Sequence, residues 1–259
     1  MTHLSLDQLE HALENRVSNL VLVENIDSTH LMARRLIDQV DSEGTPLFST
    51  LIVALRQDQG QGRNGRSWIS PEGGLYFNWV HGDVDPSVTQ LLPLLAASSA
   101  HQAITNIGVE NLSIKWPNDL LVEGKKIGGL LVHARHGDQI MATVGLGVNL
   151  GPTPVLDEKD PTEAISLTDL LGPGDLTEWA VSLIGGFLDV FDRALVDPQA
   201  AVDHWRKHLV HRSGDQMSVR LSSGEKVSGI FAGVSPEGYV RITTDQGESI
   251  LTGGDVVEK

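Results

Sequence analysis

Residues 57–75 read QDQGQGRNGRSWISPEGGL, and this stretch narrows the choice of fold more than any other part of the chain. It follows a β-branched run at residues 50–55 that is typical of a core strand. Residues 60–65 satisfy G-x-G-x-x-G, but a dinucleotide-binding fold needs a helix to begin at that loop so that helical N–H groups reach the pyrophosphate. Residues 68–74 lead into another strand-like run instead. The sequence therefore excludes a Rossmann loop and, for the same reason, a P-loop.

The loop nevertheless carries the residue types of an anion-binding site. Its glycines let backbone N–H groups close on a ligand, and Arg63 and Arg66 offer guanidinium forks that match phosphate or carboxylate. The alternative is an ordinary surface loop, since glycine is common in turns. Two cations in one short loop stand out in a chain with net charge −15, so we predict that this loop binds an anionic ligand.

Composition limits the classes of function. The chain has 259 residues, which predicts one or two domains. With 19 Lys and Arg against 34 Asp and Glu, its surface disfavours nucleic-acid backbones and anionic membranes as partners. It contains no cysteine, which excludes disulfides, thiolate metal sites and a cysteine nucleophile. A signal peptide and an apolar run of the ~20 residues that span a bilayer are both missing, which predicts a cytoplasmic protein.

Three further segments carry residues suited to a ligand site. KWPND at residues 115–119 places Lys115 at the end of a predicted strand, where a rigid element would present its ammonium to a cleft. KIGG at residues 126–129 and GLGVN at residues 145–149 contain glycines that allow a ligand or another backbone to approach closely. For Lys115 taken alone, an exposed strand-end lysine is the alternative interpretation.

Together these segments resemble the catalytic domain of biotin–protein ligases over residues 21–150. Residues 213–259, in which short strands alternate with turns, are similar to the SH3-like domain of that family. The resemblance implies an α/β (α+β) fold with a mixed sheet flanked by helices, like a class II synthetase. It places the catalytic domain at residues 1–212 and a small C-terminal SH3-like β-barrel at residues 213–259. Related lipoate ligases look different, because their arginine- and glycine-rich loop ends in a His-Asp pair that this chain lacks.

The resemblance also implies a two-step reaction. Biotin and MgATP give biotinyl-5′-adenylate and pyrophosphate, and a lysine of a biotin carboxyl carrier domain then attacks the adenylate. The alternatives are a lipoate or octanoate ligase of the same fold and a non-catalytic biotin-binding protein. About 20 residues precede the first strand, too few for the DNA-binding domain of bifunctional family members, so DNA is not an expected partner. A homodimer is left open, because exposed strand edges often pair subunits in this family.

The same resemblance assigns site residues. Arg63 and Lys115 fall at the catalytic cations, with Arg63 in the loop over the biotin tail and Lys115 at the essential lysine of the family. Two positions depart from the usual pattern, since Gln61 stands where the loop normally has Arg and His30 where Asn is common. The other implied biotin-binding positions are Ser28, Thr29, Gln57, Gly62 and Trp68. The other nucleotide-binding positions are Arg66, which could instead brace the loop, and Gly147, Val148 and Asn149.

Ten histidines raise the question of a metal site. His204, His208 and His211 are spaced i, i+4 and i+7 and would share one face of a helix, but no carboxylate matches that spacing. We therefore predict a solvated helix face and no metal ligand. The segments 60–68 and 150–163 lack an apolar anchor, and we predict that both are mobile without ligand.

Overall fold

The computed structural model describes residues 3–137, 139–155 and 163–258. Residues 156–162, within the second segment predicted to be mobile, lie outside this description. The described residues form two β-sheets and several α-helices. The strands are β1 (Asn19–Ile26), β2 (Thr50–Gln57), β3 (Leu75–His81), β4 (Leu112–Lys115), β5 (Asp119–Val122), β6 (Lys125–His136), β7 (Ile140–Val148), β8 (Gln216–Arg220), β9 (Lys226–Val234), β10 (Val240–Thr244), β11 (Gly247–Leu251) and β12 (Asp255–Glu258). The helices are α1 (Leu6–Leu13), α2 (Thr29–Glu43), α3 (Leu92–Asn106), α4 (Leu167–Leu171), α5 (Leu176–Val196) and α6 (Pro198–Lys207).

The larger sheet is mixed and has the strand order β1-β2-β3-β7-β6-β5-β4. β1 and β2 run parallel because α2 connects them, and every other neighbouring pair in this sheet is antiparallel. Chain order and spatial order differ at β7, which lies between β3 and β6. This arrangement puts β6 and β7 near the centre of the sheet and β4 at its edge.

The two faces of this sheet bury different clusters, as alternation along a strand requires. Leu51 and Val53 of β2 belong to the main core, which also contains apolar residues of α1, α3 and α5. Ile52, between them, packs on the opposite face with Ala33 and Ile37 of α2. α2 therefore covers part of one face and the remaining helices cover the other.

A β-bulge changes which side chains of β6 face the main core. The register between β5 and β6 shifts between Leu120 and Leu121. As a result Ile127 and Leu130, three residues apart, both join the main core. Lys126 consequently lies on the α2 face of the sheet, where strict alternation would have placed its neighbour.

The second sheet is antiparallel with the order β11-β10-β9-β8-β12, consistent with an SH3-like domain. Its apolar residues, such as Val219 and Ile242, belong to the same hydrophobic cluster as the main core. Trp116 links the two sheets, because its indole Nε1–H donates to the carbonyl of Gly238 at 3.1 Å. The predicted domain boundary at residues 212/213 stays a prediction, and the shared core explains why so short a segment can be ordered.

The segment 86–107 is divided between a 3-10 turn and a helix. A 3-10 turn occupies Pro86–Leu91 and α3 begins at Leu92, with Pro93 in its first turn. Proline has no N–H to donate and is accepted in the first turn of a helix, so it starts α3 rather than continuing the turn before it.

Within the described residues, no helix is both long enough and apolar enough to cross a membrane.

Candidate active site

A cleft opens on the α2 face of the larger sheet, between the N-terminus of α2, the loop that follows β2, and the strands β6 and β7. Glycines on β6 and β7 leave room there, where larger side chains would fill the space beside α2. Most of the residues implied by the sequence come together in its lining. They are Ser28, Thr29, His30, Gln57, Gln61, Gly62, Arg63, Arg66, Trp68, Gly147 and Asn149.

One end of the cleft is a preorganised polar pocket. The side chain of Gln57, at the end of β2, accepts hydrogen bonds at Oε1 from the backbone N–H of Thr29 at 2.8 Å and from its hydroxyl at 3.0 Å. Its Nε2 donates to Ser70 Oγ at 2.9 Å. Ser28 caps α2 by accepting from the N–H of His30 at 3.2 Å. These bonds fix the side-chain amide of Gln57 and the backbone amide of Thr29. Both residues therefore present donors and acceptors in defined positions to a ligand.

His30 lies beside this pocket, and its ring is tilted by 35° against that of His133 with the two centroids 4.7 Å apart. Burial, together with the nearby charges of His133 and Arg34, lowers the pKa of His30 to about 4. His30 is therefore neutral at pH 7. Its buried Nδ1 has no hydrogen-bond partner among the described residues, so a ligand can use this atom.

The middle of the cleft is an apolar shelf built on two glycines. Gly129 of β6 and Gly147 of β7 are directly paired across the strands. A Cβ atom on Gly147 would lie 2.8 Å from Cε2 of Trp68, and one on Gly129 would lie 3.3 Å from its Cζ3. The indole of Trp68 thus packs directly on the backbone of these two glycines. Its buried Nε1–H has no hydrogen-bond partner among the described residues.

Replacing Gly147 by alanine is therefore expected to displace Trp68 and weaken ligand binding in the cleft. Overpacking of this kind costs about 1–3 kcal/mol, or roughly 5- to 150-fold in affinity. Calorimetric titration with biotin measures the effect. Gly186→Ala is the matched control, because its new Cβ would meet Ala103 at an ordinary 3.6 Å. Trp68→Leu in the Gly147→Ala background should restore part of the affinity, and unchanged binding in the single variant would contradict the steric argument.

Lys126 supplies a cation in the centre of the cleft. Its Nζ lies 2.7 Å from Asp119 Oδ1 and 5.0 Å from the centroid of the Trp68 ring. The side chain of Asn149 holds the backbone at Lys126 in place. Its Nδ2 donates to the Lys126 carbonyl at 3.2 Å and to the Ile165 carbonyl at 3.0 Å. The side chains of Lys126 and Asp119 are both less than one quarter exposed, at 23% and 21%. A charge in so enclosed a site acts strongly on an anion brought beside it.

Lys115 and Val148 are placed differently from the sequence expectation. Lys115 does not line the cleft, because it ends β4, the edge strand, with β5 between it and Lys126 on β6. Val148 is fully buried in the main core, since it alternates with Gly147 and Asn149, which face the cleft. The lysine that the structure brings to the site is Lys126, which sequence reasoning passed over although it stands two residues before Gly128, the first glycine of β6.

The loop at residues 60–68, which contains Arg63 and Arg66, is held against the second sheet. Asp255 of β12 lies 2.6 Å from Arg66 Nη2, 3.6 Å from Arg63 Nη1 and 2.9 Å from Asn64 Nδ2. Arg63 Nη1 also donates to the Gly254 carbonyl at 3.2 Å. Burial lowers the pKa of Arg63 and the carboxylate of Asp255 opposes that shift. The loop that the sequence predicted to be mobile thus has an ionic anchor that only the folded chain reveals.

Replacing Asp255 by asparagine is expected to loosen the loop. An ion pair that is partly exposed contributes up to about 1 kcal/mol, so the open population of the loop should rise roughly fivefold. Limited digestion with trypsin, which cleaves after Arg63 and Arg66, measures this opening as an initial rate. Asp245→Asn, in the exposed turn before β11, is the matched control. Equal cleavage rates for both variants and the unmodified chain would show that Asp255 does not anchor the loop.

Comparison with known proteins agrees with this geometry. Residues 24–149 match the family described as Biotin/lipoate A/B protein ligase family. The chain is therefore similar to this family over residues 24–149, a stretch that contains most of the mixed sheet and most residues of the cleft lining.

Within that family, the similar proteins are named as biotin ligases. The Biotin–[acetyl-CoA-carboxylase] ligase of Paracoccus denitrificans is 26% identical over 91% of this chain and 98% of its own length. The bifunctional ligase/repressor BirA of Bacillus subtilis is 27% identical over 98% of this chain and 78% of its own length. The biotin protein ligase of Aquifex aeolicus, solved with biotin and ATP, superposes with a TM-score of 0.70 at 25% identity, covering 92% of this chain and 97% of that structure.

Proposed function

We propose that this chain is a biotin–protein ligase. It joins the carboxylate of biotin to the α-phosphate of ATP and then passes the biotinyl group to a lysine of a biotin carboxyl carrier domain. The observation that carries this proposal is that a polar pocket, an apolar shelf and enclosed cations line one and the same cleft. A ring system with a polar head, an aliphatic chain and a terminal carboxylate matches that order of surfaces.

The polar pocket suits the ureido head of biotin. A ureido group offers a carbonyl acceptor and two N–H donors, and the pocket offers Thr29, Ser28 and the oriented amide of Gln57. The tail then runs along Trp68, where apolar contact replaces hydrogen bonds. This order leaves the carboxylate near Lys126 and Arg63.

The first step joins two anions, and the cations of the cleft make this feasible. A carboxylate oxygen of biotin forms a bond to the α-phosphorus of ATP while the bond from that phosphorus to the pyrophosphate oxygen breaks. Negative charge on the phosphoryl oxygens rises in the transition state. Lys126 and Arg63 are placed to stabilise it, and both are enclosed enough for their charge to act without full screening by water.

The second step transfers the acyl group. The ε-amine of the carrier lysine attacks the carbonyl carbon of the mixed anhydride, the C–O bond to the phosphate breaks, and AMP leaves. The attacking amine must first lose its proton. Opening of the loop at residues 62–66, now held by Asp255, would give the carrier lysine access to the adenylate.

Magnesium is expected to arrive with ATP. Mg²⁺ prefers oxygen ligands and keeps several of its waters when it binds phosphates, so it needs few ligands from the protein. Asn118 and Asp119 in the cleft lining carry suitable oxygens, although Asp119 is paired with Lys126. The ion, when bound, supplies charge neutralisation on the phosphates, and Lys126 and Arg63 supply the rest.

The carrier and the setting complete the proposal. The acceptor is a biotin carboxyl carrier domain of a biotin-dependent carboxylase, by analogy with the named activity of the Paracoccus relative. The reaction takes place in the cytoplasm, where ATP and newly made carrier domains meet. A homodimer remains a prediction from the family resemblance.

One assay tests the whole proposal. The chain is incubated with labelled biotin, ATP and a carrier domain, and label on the carrier is measured together with pyrophosphate release. We expect biotin-dependent pyrophosphate and a labelled carrier lysine. Faster pyrophosphate release with octanoate or lipoate would favour the other acyl-adenylate ligases, and binding of biotin without any pyrophosphate would favour a passive binding protein.

A further inference from the structure

Three histidines from two helices meet on the opposite side of the larger sheet from the cleft. His101 lies on α3, His204 lies on α6, and His208 directly follows α6. Each can offer one ring nitrogen such that all three nitrogens lie within 4.8 Å of one another. The prediction that His204, His208 and His211 form a solvated helix face is wrong, because the first two are half-buried and His211 is buried. The cluster is also separate from His211, which lies past the helix and accepts from the Trp116 N–H.

The hydrogen bonds of two of these rings leave a nitrogen lone pair facing the cluster. The Nε2–H of His101 donates to the Leu112 carbonyl at 3.1 Å, so its Nδ1 is the acceptor atom. The Nδ1–H of His208 donates to the His204 carbonyl at 2.8 Å, so its Nε2 is the acceptor atom. A carbonyl that takes the outer N–H of a ring is the usual support of a metal-binding histidine, since it fixes tautomer and orientation together.

The spacing of the nitrogens suits a small cation. Ligands at 2.0–2.1 Å from a tetrahedral zinc ion are about 3.3 Å apart. The Nε2–H of His204 donates to His101 Nδ1 at 3.1 Å, so a metal ion would replace this proton between two nitrogens that are already at the required spacing. The ring centroids of His101 and His204 lie 4.2 Å and 4.1 Å from that of His208. All three ligand nitrogens lie within 4.8 Å of one another, so each pair has to approach by no more than about 1.5 Å to reach the zinc spacing.

The protonation state also suits a cation. Burial lowers the pKa of His101 to about 4 and that of His204 to about 4. Both rings are therefore neutral at pH 7, which is the form that binds a metal ion.

We infer that His101, His204 and His208 form a binding site for a first-row transition metal ion, with Zn²⁺ as the most suitable occupant. Three imidazoles and no thiolate favour Zn²⁺, Co²⁺, Ni²⁺ or Cu²⁺ over Mg²⁺ or Ca²⁺. The partial exposure of His204 and His208 leaves a fourth position for water.

The site acts on stability rather than on the ligase chemistry. None of the three histidines lines the cleft. The metal cross-links α3 to the end of α6, and from there the backbone is tied to β4, because the Ile114 N–H donates to the His208 carbonyl at 2.8 Å and the Val210 N–H donates to the Ile114 carbonyl at 2.9 Å. Binding in the folded state alone raises the stability of that edge of the sheet.

Visible absorption of Co²⁺ tests the site directly. The untagged chain is stripped with a chelator, dialysed and titrated with Co²⁺, whose four-coordinate complexes give an intense visible band. We expect about one equivalent per chain, displaced by Zn²⁺, and a Zn²⁺-dependent rise in the melting temperature. His204→Ala and His208→Ala should each lower the affinity at least about tenfold and abolish the rise.

Controls keep the test decisive. His11→Ala removes a surface histidine whose side chain is 92% exposed, and it should leave Co²⁺ binding unchanged. If either cluster variant fails to fold, as judged by circular dichroism, the ring ¹⁵N shifts of the unmodified chain upon Zn²⁺ addition replace it, and three shifted histidines are expected. The proposal is overturned if the unmodified chain gives no stoichiometric band, or if folded His204→Ala and His208→Ala bind Co²⁺ as well as it does.

Discussion

Replacing Lys126 by alanine should lower the rate of biotinyl-adenylate formation about 100- to 1000-fold while the chain stays folded. The reason is the position of its ammonium, enclosed between Asp119 and Trp68 at the centre of the cleft. Loss of one preorganised donor from the stabilisation of a developing anion costs about 2.7–4 kcal/mol. The measurement is biotin-dependent pyrophosphate release, with kcat and KM determined separately for biotin and ATP.

Two matched lysines control this experiment. Lys125 is the neighbour of Lys126, is about half exposed, and pairs with Glu163 at 3.4 Å, so Lys125→Ala should change the rate little. Lys115→Ala separates the sequence expectation from the structural one. A large loss in Lys115→Ala together with a normal rate in Lys126→Ala would return the catalytic role to Lys115 and refute our assignment.

Gln57→Ala should weaken biotin binding about 30-fold or more and leave octanoate binding unchanged. The amide of Gln57 is the oriented group of the polar pocket, fixed by Thr29 and Ser70. Its loss removes a ligand hydrogen bond and frees Thr29 from its partner, which together cost about 2 kcal/mol. An alkyl chain without a ureido head makes no use of these groups. Calorimetric titration of the purified variant with each acid gives the two affinities.

The same comparison decides between the acyl groups. Gln59→Ala, in the exposed turn two residues further on, is the control for unspecific effects on the loop. An equal loss of affinity for biotin and octanoate would mean that Gln57 acts only by supporting α2. Unchanged biotin affinity would place the ureido head elsewhere and weaken the case for biotin as the substrate.

The loop at residues 60–68 could be predicted from local chemistry, whereas the polar positions Ser28 and Gln57 were expected from the resemblance to a known family. No helix begins directly after the loop at residues 60–68, so it is not a dinucleotide-binding loop. It carries two arginines although the chain has a net charge of −15. Ser28 precedes a helix as an N-cap residue, and Gln57 ends a β-branched strand. The structure brings the loop, Ser28 and Gln57 together in one cleft.

The choice between lysines depended on features that no local pattern carries. Counting alternate residues back from Gly129 along β6 points Lys125 into the cleft. The bulge opposite Leu120 and Leu121 reverses that alternation and puts Lys126 there instead. Lys115 ends a strand as predicted, but a sequence does not state that this strand lies at the edge of the sheet.

By itself, the sequence determined that the loop at residues 60–68 is not a dinucleotide-binding loop and that it carries two cations, because turn and strand composition act over a few residues. The class of fold and the polar end of the cleft were expected from the resemblance to a known family. Only the tertiary structure decided which cation meets the ligand, that Asp255 anchors the loop from the second sheet, and that His101 joins His204 and His208. These contacts join residues far apart in the chain. Strand order, the bulge and helix packing bring them together, and these depend on the whole core.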